Sequence, residues 1–95
     1  MSMKVYLVFC ESLLPEGFHM DVLEVCRDIK DAVNCIGSEW HDHCIQMDKG
    51  DFPHFEDYKE DTEYDDDGNI EYLKIISESN PEYYIEYYIE EKELL

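Results

Sequence analysis

Residues 4–10 read KVYLVFC, a run of β-branched, aromatic and aliphatic side chains without Gly or Pro. Such a run is typical of a buried strand in the interior of a sheet. The next turn signal, Pro15-Glu16-Gly17, indicates a loop. Residues 20–26, MDVLEVC, then alternate in a way that predicts a second strand. The chain therefore opens with two strands.

A helix is expected next. Asp28 is a good N-cap, and Asp31, three residues on, suits the positive end of a helix dipole. Gly37 is a good residue to end the helix at C′. These signals predict a short helix over residues 29–36, with an extension toward Trp40 left open. Its apolar face would be formed by Ile29, Ala32, Val33 and Ile36.

The middle of the chain offers weaker signals. Cys44–Met47 fits a short edge strand, and Pro53 interrupts regular structure after it. The pair Asp67-Gly68 is a strong hairpin signal between Glu63-Tyr64 and the apolar residues 70–76. Part of the acidic middle is thus expected to be a hairpin.

The C-terminal residues 83–90 repeat the pattern Tyr-Tyr-Ile-Glu twice. As a strand, the segment would turn Tyr83, Ile85, Tyr87 and Ile89 toward the core and Tyr84, Glu86, Tyr88 and Glu90 outward. As a helix, it would be capped by Asn80, with Pro81 at N1 and an acidic stripe along one side. We favour the strand, because Tyr and Ile dominate and the period of two gives the cleaner core face.

These elements predict an α+β fold: an antiparallel or mixed sheet of four to five strands with one short helix on one face. Ninety-five residues make one domain, residues 1–95. Within it we interpret the acidic segment 51–71 as an insertion or hairpin. A chain this short buries only about two thirds of its unfolded surface, so its stability margin is small.

Net charge is the strongest functional signal. The chain carries −18, and residues 51–95 hold sixteen acids against three bases. Direct binding to nucleic acid or to an anionic membrane needs a basic patch, so neither is expected. A charge this large exceeds the magnitude of about 2–8 that keeps a small domain in solution. It argues for a cationic partner, and the commonest cationic surfaces in a cell bind nucleic acid.

The acid is concentrated in residues 51–71, DFPHFEDYKEDTEYDDDGNIE, with ten carboxylates and one base. A solvated, partly disordered insertion is one interpretation. The interleaved Phe52, Phe55, Tyr58 and Tyr64 favour another, in which the segment is pinned to the domain and presents its carboxylates on a fixed surface. The candidate partner-binding residues are Glu56, Asp57, Glu60, Asp61, Glu63, Asp65, Asp66, Asp67, Glu71, Tyr84, Glu86, Tyr88 and Glu90.

Metal sites and catalysis are weakly indicated. His41, His43 and Cys44, with His54 or Cys35, supply zinc donors, but their spacing matches no common zinc motif. Glu63–Lys74 approaches a calcium loop, yet its twelfth position is Lys74 instead of Glu. We expect no metal and no cofactor. With no nucleophile motif or phosphate loop, the chain is not expected to be an enzyme.

Four scattered cysteines, without a C-x-x-C pair, are typical of reduced thiols in a cytoplasmic protein. The apolar run at Val5–Cys10 is too short for the core of a signal peptide, and no segment is long enough to span a membrane. The expected location is therefore the cytoplasm, that of the host cell if the gene belongs to a phage.

In size, acidity and interleaving of aromatic and acidic residues, the chain resembles the small DNA-mimic inhibitors of phages and mobile elements, such as anti-restriction and anti-CRISPR proteins and uracil-glycosylase inhibitors. The resemblance is one of composition. It implies an inhibitor that binds a basic nucleic-acid-binding protein, a nuclease or defence complex, without binding nucleic acid itself.

The chain ends show a second likeness. KVYLVF, DVLEVCRDIKDAVNCI and the terminal YYIEEKEL are similar to small uncharacterised phage and Firmicute proteins, which implies an α+β fold and no site residues. This likeness does not extend to residues 41–69.

Two other functions stay open. One is an acidic interaction or self-assembly module, in which exposed tyrosines of the C-terminal strand pair across a two-fold axis as a homodimer. The other is a small-molecule or metal binder.

Overall fold

The structure, a computed structural model, describes residues 3–94 without the side chain of Pro53. Five strands and one α-helix follow one another along the chain. The strands are β1 (Met3–Leu14), β2 (Gly17–Cys26), β3 (Tyr58–Tyr64), β4 (Ile70–Ser77) and β5 (Tyr84–Leu94). The helix α1 (Ile29–Asp48) lies between β2 and β3, and one 3₁₀ turn (Pro53–Phe55) precedes β3. The predicted α+β class is confirmed.

All strand pairs are antiparallel, and the sheet order is β2-β1-β5-β4-β3. β1 and β2 form a hairpin, β3, β4 and β5 pair in sequence order, and β1 and β5, from the two ends of the chain, lie side by side near the middle. Their pairing runs from Met3 opposite Leu94 to Leu13 opposite Tyr84. The strand predicted at residues 4–10 is therefore interior to the sheet.

The core lies between α1 and one face of the sheet, called here the inner face. Ala32 and Ile36 of the helix are fully buried there against Val8, Leu73 and Ile75. On β5 the inner side chains Ile85, Tyr87 and Ile89 join or pack against this cluster, as does Tyr83 just before the strand. The strand interpretation is thus confirmed over residues 84–90. Alternate side chains of a strand point to the same face, so the alternating Tyr and Ile residues are buried against the helix.

The helix begins where predicted but is longer than predicted. Asp28 caps it by accepting a hydrogen bond from the backbone N–H of Lys30 at 2.9 Å. The stop at Gly37 and the edge strand at Cys44–Met47 are both wrong, since the helix continues through them to Asp48. Trp40, His43 and Met47 extend the apolar face of Ile36 at helical spacing, and their packing outweighs the weak helix propensity of Gly37.

The predicted hairpin is present in residues 58–77. Gly68 has φ +83°, a left-handed conformation that glycine adopts without strain. The 3₁₀ turn before β3 is tied to β4 by a hydrogen bond of 2.6 Å from the Ser77 hydroxyl to the His54 carbonyl oxygen. Phe55 is buried in the core beneath it. Residues 51–71 thus comprise a pinned turn, an edge strand and a tight reversal.

The C-terminal strand is the central strand of the sheet, which bears on a homodimer through its tyrosines. β5 is paired with β1 over Tyr84–Leu94 and with β4 over Tyr84–Tyr87. The edges belong to β2 and β3. The backbone of Tyr84–Tyr87 is therefore occupied on both sides, and a homodimer through the exposed tyrosines of β5 stays a prediction.

Leu73→Ala is expected to lower the free energy of unfolding by about 2–5 kcal/mol, because Leu73 is fully buried in the central cluster. Leu94→Ala, at an exposed leucine, is the matched control and should change it by less than about 0.5 kcal/mol. Urea unfolding measures both. Equal losses at the two positions would contradict this core.

Gly37→Ala is expected to raise the free energy of unfolding by about 0.5–1 kcal/mol, because alanine favours a helix and a Cβ there meets no atom within 4 Å. Gly68→Ala should instead destabilise, since its φ is positive. Thermal unfolding of both variants tests whether α1 runs through residue 37.

Candidate protein-interaction surface

The sheet face away from α1, called here the open face, is not covered by any other element of residues 3–94. Register defines its rows of side chains across the five strands. One row joins Asp61, Lys74, Glu86, Glu11 and Met20, and the next joins Lys59, Ile76, Tyr84, Leu13 and Phe18. Charged side chains thus lie toward β3 and apolar ones toward β2.

The end of the hairpin farthest from the 3₁₀ turn collects the largest group of candidate acids. Glu63 ends β3, Glu71 begins β4, and the reversal between them carries three consecutive aspartates. We call this group the acidic tip: Glu63, Asp65, Asp66, Asp67 and Glu71. All but Asp65 are exposed. The sequence-predicted acids are here brought together on an ordered turn.

Asp65 is half-buried, and its carboxylate closes the turn of the acidic tip. Its carboxylate accepts hydrogen bonds from the backbone N–H groups of Asp67 at 3.0 Å and Asn69 at 2.8 Å. The Asp65 N–H also donates to the Asn69 carbonyl oxygen at 2.8 Å. Such an Asx-type closure holds the side chains of Asp66 and Asp67 outward.

Other predicted residues lie apart from the tip. Glu56 and Asp57 are exposed beside the 3₁₀ turn, at the opposite end of β3. Glu60 points to the inner side of the same edge, where it accepts a 2.7 Å hydrogen bond from the Thr62 hydroxyl. Asp61 is exposed on the open face, opposite Lys74.

On β5 the predicted open-face residues are engaged in contacts within the chain. Glu86 accepts a hydrogen bond from the Tyr72 hydroxyl, and Tyr84 donates to the Glu11 carboxylate at 2.6 Å. Tyr88 stacks on Phe9 with ring centroids 5.1 Å apart. Glu90 is exposed opposite Leu7. The first three side chains are therefore fixed in orientation.

Glu11 is a member of this surface that sequence reasoning missed. It lies directly opposite Glu86 on the neighbouring strand, so two carboxylates face each other across the sheet. Their tyrosine donors and Lys74, whose Nζ lies 4.6 Å from the Tyr84 ring centroid, offset the repulsion. No local signal identifies Glu11, because its position depends on the pairing of β1 with β5.

The carboxylates change the acidity of the tyrosines that donate to them. The hydrogen bond to Glu11, followed by burial, raises the pKa of Tyr84 to about 12. Burial, and then the hydrogen bond to Glu86, raises the pKa of Tyr72. Both phenols stay protonated at neutral pH and act as donors.

An open notch of about 460 Å³ separates the acidic tip from the end of β5. Its walls combine three carboxylates, three phenol rings and two isoleucines: Glu63, Glu71, Glu91, Tyr6, Tyr72, Tyr88, Ile29 and Ile89. Carboxylates beside aromatic faces are the surroundings that guanidinium and ammonium groups prefer in proteins.

The residues considered for zinc are not brought together. His41 and His43 lie on α1, two residues apart, where one is exposed and the other buried. His43 is held among aromatic rings, with its Nδ1 3.4 Å from the Tyr87 hydroxyl, and burial lowers its pKa. Glu63–Lys74 spans the hairpin instead of a calcium loop. Within residues 3–94, no three His, Cys, Asp or Glu side chains are placed to hold a metal ion.

The four cysteines are free thiols in acidic surroundings. Burial is the main cause that raises the pKa of Cys10 to about 11 and of Cys35 to about 12. Nearby carboxylates raise both pKa values further, Asp21 at Cys10 and Glu24 at Cys35. A thiol with a raised pKa is a poor nucleophile at neutral pH. Of the helices in the described part of the chain, none has the length and apolarity to cross a membrane.

Comparison of the chain with protein families, curated proteins and solved structures finds no match.

Glu11→Gln is expected to lower the pKa of Tyr84 from about 12 toward 10, because it removes the charge that favours the protonated phenol. In the wild type the unfolded chain releases this proton near pH 10 while the folded chain keeps it to about pH 12. Its stabilising contribution is therefore complete below pH 10 and is lost as the pH rises through 12.

A pH titration of the Tyr84 ring by NMR measures this pKa directly. Glu90→Gln, on the same face of β5, is the control and should leave the value unchanged. A wild-type pKa near the ordinary value of 10, or no response to Glu11→Gln, would show that the Tyr84–Glu11 contact does not form.

Proposed function

We propose that the chain is an acidic protein inhibitor that occupies the nucleic-acid-binding surface of a basic protein in the cytoplasm. The observation that carries the proposal is the acidic tip: carboxylates held on a hairpin whose turn is closed by Asp65. A fixed array of charges can be recognised as a shape, whereas a solvated tail offers only average charge.

The spacing of the acids supports mimicry of a phosphate backbone. Asp61 and Glu63 are alternate residues of β3, so their side chains project from one face about 6.6–6.8 Å apart. Nucleic-acid phosphates along one strand have a similar separation. The tip adds the exposed carboxylates of Asp66, Asp67 and Glu71 at the end of the same hairpin.

The notch offers a place for one cation of the partner. An arginine or lysine entering it would meet Glu63, Glu71 and Glu91 as charged acceptors. Rings of the notch tyrosines would add cation–π contact area. Tyrosine and arginine are also the residues that dominate the binding energy of many interfaces.

Long-range electrostatics supports the same partner class. A net charge of −18 steers a positively charged surface toward the chain and gives association that weakens with salt. A partner with a nucleic-acid groove would also release its bound anions on contact. We propose binding instead of catalysis, because the thiols have raised pKa values and the acids are exposed.

Affinity capture on the immobilised chain from a bacterial lysate tests the proposal at low salt. The expected captured proteins are nucleic-acid-binding proteins with basic surfaces, released by about 0.5 M salt and displaced by duplex DNA. Capture of proteins that DNA does not displace would contradict mimicry.

Neutralising the tip with Asp66→Asn, Asp67→Asn and Glu71→Gln is expected to weaken binding to the captured partner by about tenfold or more. Asp65 is left intact because it closes the turn. The matched control is Asp42→Asn, Asp48→Asn and Glu82→Gln, which removes the same three charges from exposed positions elsewhere. Titration calorimetry at two salt concentrations measures both. Equal losses in the two triple variants would mean that net charge, and not the tip, is recognised.

A further inference from the structure

We propose that the edge strand β2 pairs with β2 of a second copy, antiparallel across a two-fold axis at Met20, so that two sheets become one of ten strands. The contact lies on the sheet edge opposite β3 and does not depend on the proposed function of the acidic tip.

The two edges of the sheet differ in how they are protected. The β3 edge carries Lys59, Glu60, Asp61 and Glu63, and charged side chains of this kind discourage edge-to-edge pairing. The β2 edge has no lysine and no proline over Gly17–Cys26. Its regular part precedes an irregularity opposite Val8 and Phe9 and ends at Val22.

Large apolar side chains stand out from that unprotected edge. Phe18, Met20 and Val22 are 57%, 48% and 52% exposed, and all three lie on the open face. On β1, Phe18 lies opposite Leu13 and Val22 lies opposite Phe9, while Met20 lies opposite Glu11. A monomer rarely leaves such a row in water unless another surface covers it.

The sequence of β2 is complementary to itself, so a second copy of the chain is the partner that fits this edge. With Met20 on the axis, Phe18 lies opposite Val22 of the second copy, and Met20 lies opposite Met20 of the second copy. On the other face His19 lies opposite Asp21 of the second copy, which supplies a carboxylate to the imidazole N–H. Apolar side chains thus meet apolar ones and the polar pair is complementary, twice by symmetry.

Neighbouring registers lose this match. Centring the pair on Asp21 sets two carboxylates directly opposite each other, which is destabilising. Centring it on His19 places Asp21 opposite Gly17 of the second copy, without a donor side chain. The register on Met20 is therefore the self-complementary one for residues 18–22.

Charge distribution permits this association despite the net −18 of each copy. The acidic tip belongs to β3 and β4, three or more strands away from β2. At about 4.8 Å per strand, the tips of two paired copies lie well beyond a Debye length from each other in physiological salt. A basic partner, by contrast, would find only Asp21 and Glu24 as acids on β2.

Sedimentation equilibrium over a range of concentrations tests the proposal. The wild type should form a reversible dimer, and Met20→Lys should raise its dissociation constant by about tenfold or more, because two like charges then meet on the axis. The control is Val25→Lys, equally exposed on β2 but beyond the regular register, and it should leave the constant near the wild-type value.

A charge exchange tests the register itself. His19→Asp alone places a carboxylate opposite Asp21 of the second copy and should weaken the dimer. His19→Asp combined with Asp21→His restores the imidazole–carboxylate pair and should recover the affinity of the dimer. Met20→Cys should form an intermolecular disulfide on mild oxidation, since directly opposed Cα atoms about 4.5–5.5 Å apart suit one. A wild-type monomer at up to about 1 mM would overturn the proposal. A dimer indifferent to Met20→Lys, or not recovered by the exchange, would do the same.

Discussion

The antiparallel pairing of β1 with β5 is the constraint on which the rest of the structure depends. It joins the two ends of the chain from Met3 opposite Leu94 to Leu13 opposite Tyr84. Without it, β1–β2 and β3–β4–β5 would be two small hairpin units, each too narrow to cover one face of α1. With it, Val8 of the first unit and Ile85 of the second share one core beneath the helix. The same register sets Glu11 against Glu86 and so creates the tyrosine–carboxylate contacts of the open face.

This topology also separates charge from apolar surface. Because the chain ends occupy the middle of the sheet, the two edges are left to β2, from the less acidic first half of the chain, and β3, from its acidic part. Repulsion among the carboxylates is spread along one edge and its hairpin, where solvent and salt screen it. The opposite edge keeps exposed Phe18, Met20 and Val22. We therefore assign two surfaces of different chemistry to one small domain, one for a cationic partner and one for its own copy.

Local signals in the sequence predict much of this fold. Asp28 as a cap, Asp67-Gly68 as a reversal and the period of two in residues 83–89 each act through neighbouring backbone or through one buried face. Gly37 misleads, because tertiary packing of Trp40 and His43 against the sheet outweighs the propensity of one residue. Strand order cannot be read from local signals: it places β5 in the middle of the sheet and sets Glu11 beside Glu86 on the open face. The acids of the tip could be found from composition, whereas the role of Asp65 in closing the turn is seen only in its hydrogen bonds to Asp67 and Asn69.

Recognition of the acidic tip requires that the acidic residues of β3 and β4 are held on a folded hairpin at physiological salt, despite their mutual repulsion. Residue-resolved amide hydrogen exchange at about 0.15 M salt tests it most directly. Amides of β4 that are bonded to its neighbouring strands are expected to exchange slowly, as those of β1 do. Exchange of residues 58–77 at the rate of an unfolded peptide, while β1 stays protected, would contradict it and would leave the carboxylates as a solvated segment.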